Sequence, residues 1–414
     1  MRKTRLPFVV LIGTLLSAAV APPLLDASTW RGTELLGLVK DAPWKLGPFR
    51  LRPAVVLSNV GYDSNLYSLP DPVKDFTLTF GPAVTAYVPI KRTLILSVYE
   101  SPRYVYFLET ANERAWNNYF RTEASLVLNR FFIQAGVFHD NARERWNFEI
   151  DVRPRRRATG VQGTFLWQVS KKVSLNAGLS RTAYRYEGLE FLSLRLDEQL
   201  NRDDTSADAG LAYRLSPRVQ AFVDFEAGKA DFISPDNFRD SRSRAAHAGF
   251  EFSPTGRIRG RVRIGYKDLD SVRAGVPDFN GLVGDTGVSL RALRTVVLRA
   301  SYKRDIEYSI WFDSSFYVGT SAGGGASIYV MRRKVRLDYD YNRIRNAYAA
   351  AAGAAGGGTE ERIDRLNLHT VGAYFRVSKS AALGVTAGRM DREINVYGWT
   401  ARREYVGLNL TYDF

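Results

Sequence analysis

The chain contains no cysteine and only three histidines in 414 residues. The first absence excludes disulfides, thiolate metal sites and a lipidated N-terminal cysteine. The second weighs against histidine-based catalysis. His139, His247 and His369 are scattered and stand in no serine-histidine or metal-ligand spacing, so no catalytic residue, cofactor or metal is expected. Long apolar runs are missing as well. Beyond residue 21 nothing approaches the roughly 18 to 20 apolar residues that a membrane helix needs. The glycine-alanine run 349–358 is no phosphate loop, because no Lys-Ser/Thr follows it, and it reads as the tip of an outer loop.

What the chain does have is aromatics, basic charge and alternation. Aromatics reach 13% although mean hydropathy is only −0.22, and the formal net charge is +15. This combination suits a transmembrane barrel with an apolar outer band, aromatic girdles and a polar interior. Arg2, Lys3 and Arg5, an apolar stretch from Leu6 to Leu16, and small residues up to Ala21 read as a secretory signal peptide over 1–21, cut after Ala19 or Ala21. Behind such a leader, nucleic acid is not an expected partner.

Strands recur at a steady spacing. In 335–342, Val335, Leu337, Tyr339 and Tyr341 alternate with Arg336, Asp338, Asp340 and Asn342. Eight short turns are predicted near Lys91-Arg92, Arg130, Lys171-Lys172, Pro217-Arg218, 254–256, 292–293, Arg332-Arg333 and Ser378-Lys379. Nine longer loops are expected near 63–75, 108–118, 140–158, 187–204, 231–243, 270–284, 309–316, 347–362 and 394–401. Together they predict an all-β, antiparallel up-and-down barrel of about 18 strands over 49–414, or 16 if one hairpin is miscounted. An even count puts both termini in the periplasm. Residues 22–48 are expected to form a loosely ordered periplasmic extension. A short helix over 29–39, with Leu35, Leu36 and Val39 on one side, is the sharper alternative, acting as a tether or partial plug.

Two segments carry a resemblance. The C-terminal row Val406, Leu408, Leu410, Tyr412 and Phe414, with Gly407, resembles the signal by which the assembly machinery recognises outer-membrane barrels for insertion. The stretch 46–53 and the run Gly61-Tyr62-Asp63-Ser64-Asn65-Leu66-Tyr67 resemble the start of the type-two β-barrel porins. That resemblance implies an outer-membrane barrel of a Gram-negative-type bacterium, often linked to exopolysaccharide systems, with no catalytic residues to carry over. Asp63 and Asn65 match its signature and are expected to hydrogen-bond local backbone.

If the apolar rows face lipid, the alternate rows face the lumen. Arg259, Arg261, Arg263 and Lys267 then form a basic ladder on one strand, with Arg299, Lys303 and Arg336 on others. Asp224, Glu226, Asp305, Glu307, Asp338 and Asp340 supply lumenal acids, and His247 and His369 are expected to point inward. The functional expectation is a porin-like channel for small polar or anionic solutes. The competing expectation is that these charges neutralise one another and merely solvate the wall. Arg153, Arg155, Arg156 and Arg157 are expected in an outer loop, placed for lipopolysaccharide phosphates or an acidic polysaccharide. An accessory barrel of an exopolysaccharide system and a structural outer-membrane protein remain the alternatives.

Overall fold

The computed structural model describes residues 31–91, 93–149, 151–191, 193–253, 256–311, 314–349, 361–396 and 398–414. The proposed signal peptide lies outside them. Eighteen long strands run up and down: β1 Phe49–Asp63, β2 Asp75–Ile90, β3 Leu94–Phe107, β4 Ala115–Val127, β5 Phe131–Arg143 and β6 Arg155–Gln168. There follow β7 Val173–Tyr186, β8 Arg202–Ser216, β9 Val219–Phe232, β10 Ser241–Phe252, β11 Ile258–Ser271 and β12 Phe279–Arg291. The last six are β13 Val296–Tyr308, β14 Phe316–Val330, β15 Val335–Tyr348, β16 Ile363–Arg376, β17 Ala381–Ile394 and β18 Trp399–Asp413. Each pairs antiparallel with its neighbours in the chain, and β18 returns to β1. Closure satisfies every edge, which is what a membrane requires of a sheet.

The period-two pattern explains the orientation of side chains. On β18, Val406, Leu408, Leu410 and Tyr412 are all exposed on the outer wall. Aromatics gather at both ends of that wall. Phe131 stacks on Trp167 at 5.9 Å near the turns, while Phe80, Tyr104 and Trp116 cluster near the loops. Strands of 12 to 16 residues exceed the roughly 9 to 11 that cross the hydrocarbon, so their ends reach past it.

The closing seam is irregular. A bulge at Asn59, with φ of 55°, shifts the register of β1 against both neighbours. Just beyond it, a Cβ on Gly61 would stand 1.8 Å from the Val406 carbonyl oxygen, so the backbones approach too closely for any side chain.

Short turns join the strands at one end and longer loops at the other, and both described chain ends lie on the turn side. The loops are shorter than expected, 144–154 rather than 140–158 and 272–278 rather than 270–284, because the strands extend beyond the apolar band. Residues 31–48 are not a loose tail. Arg31–Lys40 forms a helix, α1, on the inner wall of the turn-side mouth. Leu35, Leu38 and Val39 pack there against Tyr87, Ile95 and Val127, while Leu36 is exposed. A three-residue strand, Trp44–Leu46, then pairs with the start of β1, and Trp44 meets the Phe414 ring edge-to-face at 5.7 Å.

Candidate functional site

The lumen is lined by the residues that alternate with the exposed apolar rows. On β11, Ile258, Ile264 and Tyr266 are exposed on the outer wall, which leaves Arg259, Arg261, Arg263 and Lys267 on the inner one. The same parity puts Arg299 and Lys303 of β13 and Arg336 of β15 inside, opposite Leu298, Tyr302, Leu337 and Tyr339.

Nearly every member of this ladder is matched by a carboxylate. Asp224 is the hub, 2.7 Å from Arg263 and 3.2 Å from Arg261. Arg263 also reaches Glu226 at 3.1 Å, and Lys267 reaches Asp305 at 2.8 Å. Arg299 forks onto both oxygens of Asp340 at 2.8 and 2.9 Å, Arg336 holds Asp338 at 2.8 Å, and Lys303 lies 3.7 Å from Glu307. Register explains most of this, because Arg261, Arg263, Lys267 and Arg299 each face an acid two strands away, while Lys303 and Arg336 pair along their own strands. His247 Nδ1 lies inside this cluster, 2.8 Å from the Arg263 guanidinium and 3.1 Å from the Asp224 carboxylate. Among the described residues Arg259 alone of the ladder has no carboxylate partner. It donates to the Gly256 carbonyl and sits beside Arg291 near the turn-side mouth. Two charge expectations therefore merge, a compensated wall over most of the lumen and, at one end, the pair Arg259 and Arg291, for which no carboxylate partner stands among the described residues.

His369 is corrected. It lies on the outer wall, 3.0 Å from the Tyr339 hydroxyl, because it shares parity with exposed Val371 and Phe375. His139 is also outside, bonded to Thr159.

A loop folded into the lumen is something that the ladder did not suggest. The loop between β5 and β6, residues 144–154, leaves one wall and is anchored on the opposite one. Phe148 inserts among Leu366, Leu368 and Met390 on β16 and β17. Glu149 accepts from the Ser309 hydroxyl and from the Ile310 N–H at 3.0 Å. Asp151 binds Arg145 of its own loop and Arg392 of β17, and Arg392 lies 3.6 Å from Asp364. Arg145 also donates to Ser68 in the first loop. Burial pushes the Glu149 carboxyl up to about 7, against the opposing pull of its hydrogen bonds and of the Arg362 guanidinium. The next loop, 187–201, folds in beside it, where Leu196 and Leu200 cover Ile310 and Val152.

The four arginines expected on an outer loop do not form one patch. Only Arg153 is in the loop, buried and 3.8 Å from Glu113, with its guanidinium over the Phe107 ring at 4.4 Å. Arg156 belongs to β6 and points inward, stacked on Trp146 at 3.2 Å. Arg155 bonds Asn141 and the Trp116 carbonyl, while Arg157 lies exposed on the outer wall. Strand alternation begins earlier than expected and splits the run.

The signature residues act partly as expected. Asp63 accepts from the Asn65 N–H at 3.1 Å, and Asn65 ties Leu69 and the Arg402 carbonyl. Beyond that, Asp63 is bidentate to Arg403 of β18, so it clasps the closing seam. The residues that sequence reasoning missed, Phe148, Glu149, Asp151 and Arg392, had a faint signal. Leu366, Leu368 and Met390 are apolar on a lumenal row, which requires something to cover them.

A barrel of eighteen strands, sealed edge to edge, charged within and apolar without, belongs to the class of outer-membrane channels. Residues 151–414 match the model of the family described as Putative beta-barrel porin 2, and the chain belongs to that family. It is an outer-membrane β-barrel of Gram-negative type and porin-like, not an enzyme. Two Pseudomonas aeruginosa structures share the fold. OccK2 (OpdF) is 12% identical with a TM-score of 0.51, covering 88% of this chain and 97% of its own. OpdO is 14% identical with a TM-score of 0.50 and the same coverage. No curated protein matches the sequence.

Proposed function

We propose that this barrel is a passive channel for small polar and anionic solutes. The observation that carries the reading is the lumen itself: most charges on the wall are paired, and Arg259 and Arg291, with no carboxylate partner among the described residues, stand near the turn-side mouth. Paired ladders keep the wall wet without trapping an ion, and the basic pair sets the sign of selectivity. On this reading residues 1–21 are the cleaved leader and both termini face the periplasm. The C-terminal residues Gly407, Leu408, Leu410, Tyr412 and Phe414 address the chain to the assembly machinery.

The test is conductance of the refolded protein in a planar bilayer under a salt gradient. An anion preference that Arg259→Glu and Arg291→Glu reverse supports the channel, and an ohmic pore indifferent to both overturns the selectivity assignment. A second reading has its own support. The crossing loop narrows one mouth and α1 occupies part of the other, as suits an accessory barrel that works with exopolysaccharide partners. That reading expects little conductance from the folded barrel alone.

A further inference from the structure

The two ends of the barrel carry opposite charge. Each of the eight short turns holds Lys or Arg, and none holds Asp or Glu. In the loops Asp and Glu outnumber Lys and Arg about two to one. Lys91, Arg130, Lys171, Lys172, Arg218 and Lys379 are all exposed and, among the described residues, none is in an ion pair. Some of these cations even sit where the backbone disfavours them. Lys91, Arg332 and Arg333 have φ of 54°, 56° and 67°, positions where glycine or asparagine is the easy choice.

We propose that this crown binds the anionic headgroups of the phospholipids that surround the barrel. The charges are spread around the whole circumference, one turn after another. A protein partner would need a patch, whereas annular lipid needs a ring. The height is also right, since the crown lies next to the turn-side aromatics Trp44, Phe131 and Trp167, where headgroups meet the acyl boundary. Long Lys and Arg stems can lie along that boundary and place their charge among phosphates. The inference is independent of what passes through the lumen.

Brominated lipid quenching of tryptophan tests it. Trp167 precedes Lys171 and Lys172 by four and five residues on the strand that leads into their turn, and the Gln168 N–H donates to the Arg130 carbonyl. Trp116, exposed near the loops, is the internal control. Full-length single-tryptophan variants keeping Trp167 or Trp116 are folded into phosphatidylcholine vesicles containing brominated phosphatidylglycerol or brominated phosphatidylcholine. The expected result is a preference of about fivefold for phosphatidylglycerol at Trp167, the factor one well-placed cation gives at an anionic surface. It should be absent at Trp116, and both high salt and the triple change Arg130→Gln, Lys171→Gln, Lys172→Gln should abolish it. Equal quenching by both lipids, or a preference that survives salt, overturns the proposal. So does soluble polygalacturonate perturbing Trp167 in neutral vesicles while phosphatidylglycerol shows no preference, because the crown is then a site for acidic polymers. If the triple variant does not fold, the salt series on the parent single-tryptophan protein gives the same decision.

Discussion

At the scale of single residues, two buried carboxylates have opposite jobs. Asp63 is fully matched by the Arg403 fork, so removing either partner leaves an isolated buried charge. Arg403→Ala should cost about 3 kcal/mol or more of barrel stability, and the double change with Asp63→Asn should cost less than the single one. Urea unfolding followed by tryptophan emission would check both, and equal costs would remove the clasp from the account. Glu149 is held mainly by a hydroxyl and an N–H, with Arg362 favouring its charge and Asp364 opposing it. Its carboxyl titrates higher when anchored, near 7, than when the loop is released, so the anchor is strongest below the ordinary carboxylate range. That advantage is lost as pH climbs to about 7. Open-channel current should therefore rise between about pH 5 and pH 7 by this linkage. Glu149→Gln, which cannot ionise, should flatten the profile, and an unchanged profile would rule out this anchor as the cause.

At the scale of elements, the crossing loop and α1 are held in the lumen by small apolar patches. Phe148→Ala removes the side chain that fills the gap between Leu366, Leu368 and Met390. The change should cost the loop about 3 kcal/mol of anchoring and increase conductance while the barrel stays folded, as judged by heat-modifiable migration on gels. Deleting 31–40 should act the same way at the other mouth, because α1 packs on the inner wall without carrying any strand of the barrel. If both changes leave conductance as it was, neither element limits the path.

Strands were legible in the sequence because alternation is local: β11 and β15 could be read residue by residue, and the start of β1 at Phe49 follows from Pro48 and the row beyond it. The two inward elements were not, since the apolar residues that hold them, Ile95 and Leu366, look like ordinary strand residues until their parity is known. The same applies to 153–157, where a run of arginines in sequence is divided among a loop, the lumen and the outer wall.

At the scale of the whole molecule, closure is the critical event. β1 and β18 are the most distant strands in the chain, and their pairing passes a bulge and a contact only glycine permits. Gly61→Val should block sealing of the seam, so the protein should migrate as unfolded in unheated gels, while Gly163→Val on β6, where a Cβ meets nothing nearer than 4.0 Å, should fold. Folding of both would mean that the seam relaxes more than its geometry implies.

The chain read alone sufficed for class, compartment and strand number, because period-two alternation and turn spacing are encoded by neighbours. Parity along a strand also gave the side of the basic residues on β11, β13 and β15, though it was misjudged for His369 and for Arg156. The pairing of the ladder with its acids, the seam clasp of Asp63 with Arg403 and the loop across the pore came only from tertiary structure. Apart from the pairs Lys303–Glu307 and Arg336–Asp338 within single strands, these join residues that sequence leaves far apart, and the register of a closed sheet sets which of them meet.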